Sequence, residues 1–275
     1  MNINKNYLLK IKNFISVEAR QLIWSEFFES RKRGVALITH FPWIDDKKEK
    51  IACLTIEAKN KKESLVGVLV MLTRNFKDIG DVGFIGMVCV NANFRGLGLS
   101  SEMLECIKSY ASQEKLSKLV LWTSQPKIYE KTGFVVDSED IYANICNSSL
   151  NSVNKLYAKQ DLLIKTEQYS EHGVPAFAEE VLRVANRKAI LIVCKKKENT
   201  TLVKWTGDNS DVVSLASEIL LSSWRIVAEN GDLIIKELIS RGFTINLMQG
   251  AKRMVLDLKS DIKLKLPYVN ILFRI

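Results

Sequence analysis

The chain is expected to fold as an α/β protein on mixed sheets, in two successive domains. Three observations predict this. Apolar runs at 51–57 and 65–72 flank a polar Asn60-Lys61-Lys62-Glu63 turn and read as an antiparallel hairpin. A strand, helix and strand between residues 84 and 122 have the length of a right-handed parallel crossover. Beyond residue 150 the same order of elements recurs.

Element by element, Ala19, Leu22, Ile23, Trp24, Phe27 and Phe28 recur at helical spacing behind Ser16, a good N-cap, and the pattern stops near Gly34. The hairpin follows, and a third strand over 84–90 delivers the chain to a glycine-containing bend. Met103, Leu104, Ile107, Tyr110 and Ala111 then form one stripe, with Glu102, Glu105, Lys108 and Glu114 elsewhere, so this helix lies on a sheet. Leu119, Val120, Leu121 and Trp122 are a buried strand. The polar stretch Asn147-Ser148-Ser149-Leu150-Asn151-Ser152 marks a junction, giving domains at 1–148 and 149–275. After it, Pro175 is expected to open a helix reaching Arg187 with Val181, Leu182 and Ala185 inward. A strand pair at 189–194 and 202–205, a helix at 212–221, a strand at 224–228 and a helix at 233–240 follow, and Gly242-Phe243 leads into further strand.

Composition narrows the function classes. With 47% hydrophobic and 26% charged residues, the 275-residue chain is an ordinary globular protein with no apolar run that spans a bilayer. Its first residues lack the apolar core of a secretory signal, so the expected location is cytoplasmic. Cys53, Cys89, Cys106, Cys146 and Cys194 are scattered, with His40 and His172 as the two histidines. That pattern suits reduced, buried thiols and supports neither a disulfide framework nor a metal site. The net charge of +9 favours encounter with polyanions. Its lysine runs lack interleaved aromatics, so no nucleic-acid partner is expected.

The most specific chemistry sits at Val88-Cys89-Val90-Asn91-Ala92-Asn93-Phe94-Arg95-Gly96-Leu97-Gly98-Leu99-Ser100-Ser101. Glycines let a backbone approach an anion, and the helix that follows aims free N–H groups and its positive dipole end at the same place. Farther on stands Ile128-Tyr129-Glu130-Lys131-Thr132-Gly133-Phe134. The two segments together resemble the acetyl-CoA-dependent N-acetyltransferases of the GNAT superfamily, over about residues 50 to 135. In that family a Gln/Arg-x-x-Gly-x-Gly/Ala loop wraps the coenzyme's diphosphate and a short helix carries a tyrosine before Gly-Phe. Ser100 replaces the usual last Gly or Ala, and Ala92 stands where proline is common.

The resemblance implies a mixed, mostly antiparallel sheet flanked by helices. It implies acetyl-CoA as cosubstrate, without a metal, and direct transfer to an amine in a ternary complex. Arg95, Gly96, Leu97, Gly98, Leu99, Ser100 and Ser101 would hold the diphosphate. Val88, Cys89 and Val90 would line the pantetheine arm through their backbone groups, and Tyr129 would protonate the departing sulfur. Ser124 is expected to cap the short helix. His40, beside Phe41, Trp43, Asp45 and Asp46, falls in the region that lines the family's acceptor groove, but is expected to be structural, which leaves the general base unassigned. A small-molecule amine is the expected acceptor; a non-catalytic coenzyme-binding module is the rival function. The second half resembles a degenerate GNAT domain, with Trp205-Thr206-Gly207-Asp208-Asn209-Ser210 in place of the anion loop and Leu238 in place of the tyrosine.

Overall fold

The structure, a computed structural model, describes residues 6–59, 64–146, 164–169, 171–220, 222–259 and 264–275. The hairpin turn at 60–63 and the junction expected at 147–152 lie outside the described residues. The chain divides into two compact units.

The first unit comprises residues 1–137, 252–269 and 274–275. Its elements are β1 (Tyr7–Lys12), α1 (Val17–Phe27), α2 (Leu37–His40), β2 (Ile51–Ala58), β3 (Ser64–Phe76), β4 (Gly80–Val90), α3 (Leu99–Gln113), β5 (Lys118–Thr123), α4 (Pro126–Glu130) and the second half of β12 (Thr244–Asp257). β1 to β4 pair antiparallel in order, β4 and β5 run parallel, and β12 closes antiparallel on β5. The Ser16 hydroxyl accepts the Ala19 amide at 3.4 Å and starts α1 where the sequence predicts. Alternation along the strands divides the sheet's two faces. Ala52, Leu54, Leu69, Met71, Ile85, Leu119 and Leu121 gather against Met103, Leu104, Ile107 and Ala111 of α3. Each such fully buried aliphatic contributes about 1.5–3 kcal/mol. α1 packs on β3 and β4.

Arg253 of β12 is 2% exposed and makes four hydrogen bonds to three residues of this unit. Its Nε and Nη2 donate to the Asp137 carboxylate at 2.8 and 3.0 Å, and Nη1 and Nη2 donate to the carbonyls of Pro267 and Leu266 at 2.6 and 2.8 Å. One guanidinium thus ties the segment after β12 to the sheet.

The second unit comprises residues 138–251 and 270–273. It contains most of β6 (Val135–Cys146), then β7 (Lys165–Gln168), β8 (Glu180–Ala185), β9 (Ile190–Lys196), β10 (Asn199–Thr206), α5 (Asn209–Ile219), β11 (Ser223–Glu229), α6 (Leu233–Ser240) and the start of β12. β7 to β10 pair antiparallel in order, β10 and β11 run parallel, and β6 lies antiparallel on β11. The helix expected after Pro175 is instead the strand β8. Val181 packs with Ile192 and Cys194 on one face, while Leu182 and Val184 join a cluster on the other. Apolar residues on both sides of a short strand erase the alternation that distinguishes it from a helix.

Beside their parallel pairs the units share one pattern with the last strands exchanged. The strand after α4 is β6, which pairs with β11; the strand after α6 is β12, which pairs with β5. Among the described residues no helix is long and apolar enough to cross a membrane.

Candidate active site

β4 and β5 pair only at Val82 with Lys118, Gly83 with Leu119 and Phe84 with Val120. Beyond these pairs β4 runs on to Val90 and β5 to Thr123, so the parallel strands part and no longer pair with each other. β4 bulges in the same stretch. Val68 pairs with Cys89 and Val70 with Gly86, so Met87 and Val88 oppose the single Leu69, and Met87 takes a φ of 52°. A non-glycine residue held there is backbone strain, which concentrates at functional sites. Val88 and Val90 are half-buried and pack with the α3-side core, whereas Cys89 is buried and belongs to neither that cluster nor the second unit's. Burial chiefly, and then the Glu26 carboxylate, pushes the Cys89 thiol up to about 12. A thiol held protonated this firmly is a strand residue, not a nucleophile.

The bend after β4 fits a diphosphate. Gly96 and Gly98 have φ of 80° and 76°, and a Cβ on either would meet nothing within 4 Å, so conformation alone demands glycine and the surrounding space stays open. Gly98 is the N-cap of α3 and offers no side-chain acceptor, which leaves the first-turn amides of Leu99, Ser100 and Ser101 without an intrahelical partner. Leu99 anchors the bend, 2% exposed in the core, while Leu97 is 53% exposed. The second unit's counterpart is closed. At Gly207, φ 120°, a Cβ would lie 2.5 Å from the Lys188 carbonyl oxygen, and Asp208 occupies the N-cap of α5.

Tyr129 lies on α4 half-buried, its ring edge-on to Phe134 at 6.3 Å between centroids. Burial raises the phenol above its ordinary range, keeping it a proton donor. Among the described residues its hydroxyl has no hydrogen-bond partner. Gly133, φ 90°, turns the chain out of the helix and Phe134 is buried behind it. Ser124 does not cap α4. The N-cap is Gln125, whose amide donates to Thr123 Oγ1 at 2.9 Å, and Ser124 is exposed.

His40 is structural. It is 5% exposed, stacks on Phe28 at 5.0 Å and Trp24 at 6.5 Å, and its Nε2 accepts the Val35 amide at 3.1 Å. Phe41 and Trp43 continue the same aromatic cluster. Asp45 pairs with Arg20 at 2.6 Å.

Several neighbours of the site were not legible in its motifs. Glu26 of α1 accepts from the Arg95 guanidinium, whose Nε also donates to the Val90 carbonyl at 3.1 Å. Arg274 lies over the Trp122 ring at 4.6 Å, and a Cβ on Gly86 would overlap the Ile275 backbone. Residues 274–275 therefore cover β4 and β5 where the strands part. The Glu26–Arg95, Arg274–Trp122 and Gly86–Ile275 approaches join residues far apart in sequence, and no local pattern announces them. Among the described residues no cluster of metal-ligating side chains occurs.

Residues 17–134 match the model of the acetyltransferase (GNAT) family. No curated protein is detectably related by sequence. Similar solved structures include a GCN5-related N-acetyltransferase from Anabaena variabilis, at TM-score 0.63 and 12% identity, covering 92% of this chain and 73% of that one. Another, from Kribbella flavida, gives 0.58 at 9% identity over 91% and 71%. A tandem GNAT protein from the clavulanic acid biosynthesis pathway gives 0.58 at 7% identity, covering 93% of this chain and all (100%) of that one. At these identities the likeness is one of fold. Residues 17–134 are thus similar to the acetyltransferase (GNAT) family, and over most of its length the chain shares the fold of a tandem GNAT protein.

Proposed function

We propose that the first unit is a cytoplasmic N-acetyltransferase that moves an acetyl group from acetyl-CoA to a small-molecule primary amine, directly, in a ternary complex. The observation that carries this is the open bend at 96–101, aligned with the end of the strand that parts from β5. Acetyl-CoA supplies the activated acyl thioester. The amides of Gly96 through Ser101, with Arg95, hold its diphosphate at the positive end of α3. The backbone groups freed along Val88, Cys89 and Val90 align the pantetheine arm and polarise the acyl carbonyl in the manner of an oxyanion hole. As the carbon–nitrogen bond forms and the carbon–sulfur bond breaks, the Tyr129 hydroxyl gives its proton to the sulfur; the proton shed by the nitrogen passes to solvent, and solvent reprotonates the tyrosine. No metal is needed at any of these steps.

The second unit's closed bend at Gly207 and the Asp208 carboxylate are unsuited to a diphosphate. The test is a turnover screen of the full chain with acetyl-CoA over amino sugars, amino acids, polyamines and peptide amines, read as free thiol and as acetylated product by mass. Product from one amine class is expected. Tight coenzyme binding without product across all classes would establish a coenzyme-binding module instead.

A further inference from the structure

α3 carries the bend at its first turn and a second polar device farther along. From the Gly98 N-cap to Lys108 is about 15 Å of helix. The half-buried Lys108 ammonium donates to both oxygens of Glu105 at 2.9 and 3.0 Å, and to the Thr132 carbonyl at 2.9 Å. These acceptors match in number the three protons of an ammonium. Thr132 passes the contact on. It is 5% exposed, and its amide and hydroxyl both donate to the Tyr129 carbonyl, at 2.9 and 2.8 Å. α4 needs such a brace, for it is five residues long, buries no side chain fully, and its N-cap Gln125 makes no side-chain capping hydrogen bond. A helix this short does not hold itself in water. Pro126 and Tyr129 are half-buried while Lys127, Ile128 and Glu130 are exposed, so the stance of the Tyr129 ring depends on what grips the turn that follows. Phe134 grips it from the core, and Lys108 grips it from α3.

We propose that Lys108 is a positioning residue: it fixes α4 to α3, so that the helix whose start receives the diphosphate also sets where the Tyr129 hydroxyl stands. This rests on the acetyltransferase reading above. Lys108 gives up no proton; it acts through the Thr132 carbonyl and the Tyr129 backbone. Because one rigid helix joins the two ends, the anchor of the coenzyme and the donor of the sulfur's proton keep one spacing, and small losses of such alignment are costly in rate. Glu105 orients the ammonium and offsets its charge, so the brace brings no net charge to the phenol, whose pKa burial alone raises. A lysine serving only the fold would lower stability and leave the balance between turnover and coenzyme affinity unmoved.

The experiment compares wild type, Lys108→Met and Lys108→Arg as full chains. Lys108→Met keeps the aliphatic stem and removes the donors, whereas Lys108→Arg keeps donors for both the carboxylate and the carbonyl. With acetyl-CoA and the amine found by the turnover screen, Lys108→Met is expected to lose roughly ten- to a hundredfold in kcat. Coenzyme A titrated without acceptor is expected to bind it as it binds wild type, and Lys108→Arg to recover most of the lost kcat. Equal kcat in Lys108→Met and wild type overturns the proposal. So does a Lys108→Met that no longer binds coenzyme A, which would mark a general support of the fold. A readout free of turnover is the ultraviolet titration of the Tyr129 phenol, taken as the difference between each chain and its Tyr129→Phe counterpart. The wild-type phenol is expected to ionise above its ordinary value of about 10, and the Lys108→Met phenol at lower pH than that, because a loosened α4 lets water reach the ring. An unmoved phenol overturns the positioning role. A wild type that acetylates no amine overturns the acetyltransferase reading, and the phenol titration alone then decides whether Lys108 sets Tyr129.

Discussion

Tyr129 pairs a half-buried ring with a hydroxyl that no described residue engages, an arrangement suited to giving a proton and poor as a structural staple. Tyr129→Phe keeps the packing on Phe134 and removes only the proton. Turnover is expected to fall by roughly a hundredfold or more with coenzyme affinity unchanged, measured by steady-state kinetics beside titration; equal turnover would remove its role. The cysteines show the same discipline of environment. Burial pushes Cys53, Cys89 and Cys194 up to about 12, and the folded state holds these protons to higher pH than the unfolded chain does. Their contribution to stability is therefore whole below about pH 8.5 and is lost as pH rises toward 12. In native protein at pH 8, alkylation read by mass is expected to modify exposed Cys146 and spare these three, which react only on unfolding. The expected burial holds for Cys53, Cys89 and Cys194, whereas Cys106 is half-buried and Cys146, at the end of β6, is exposed.

Among elements, β12 depends most on one residue. Arg253 satisfies Asp137 and two carbonyls of the following segment at once, so Arg253→Met strands a carboxylate and two acceptors. A loss of about 3–5 kcal/mol is expected, read as a lowered denaturant midpoint; a change below about 1 kcal/mol would mean the segment is held by its apolar contacts. Elements whose causes are local were legible in the chain. Ser16 starts α1, the stripe of Met103, Leu104 and Ile107 draws α3 onto the sheet, and Gly96 and Gly98 mark a bend that needs positive φ. Two local readings missed for local reasons. At 180–185 apolar residues on both strand faces imitate a helix, and Thr123, one residue earlier than Ser124, supplies the acceptor at the end of β5. Glu26 was invisible because its meaning comes from a partner 69 positions away.

At the scale of the whole molecule, the exchange of last strands makes the sequence junction a poor place to cut. The partner of β5 is β12, and residues 252–269 belong to the first unit. A fragment of residues 1–148 leaves the β5 edge and Asp137 unpaired, and is expected to lose a cooperative thermal transition that the full chain has, followed by circular dichroism; a cooperative fragment would show that β12 is dispensable. Much of the element order was legible from periodicity, β8 excepted, but which strand closes which sheet was not, because pairing of distant strands leaves no periodic trace. The central claim, a diphosphate held on main-chain donors at one open bend, is tested most directly by calorimetric titration of coenzyme A into wild type and Gly98→Glu. That substitution meets no atom within 4 Å of its Cβ and adds a carboxylate at the helix end where the phosphates would sit. Saturable binding by wild type and none by a folded Gly98→Glu is the expected result; equal affinity in the two would contradict the account.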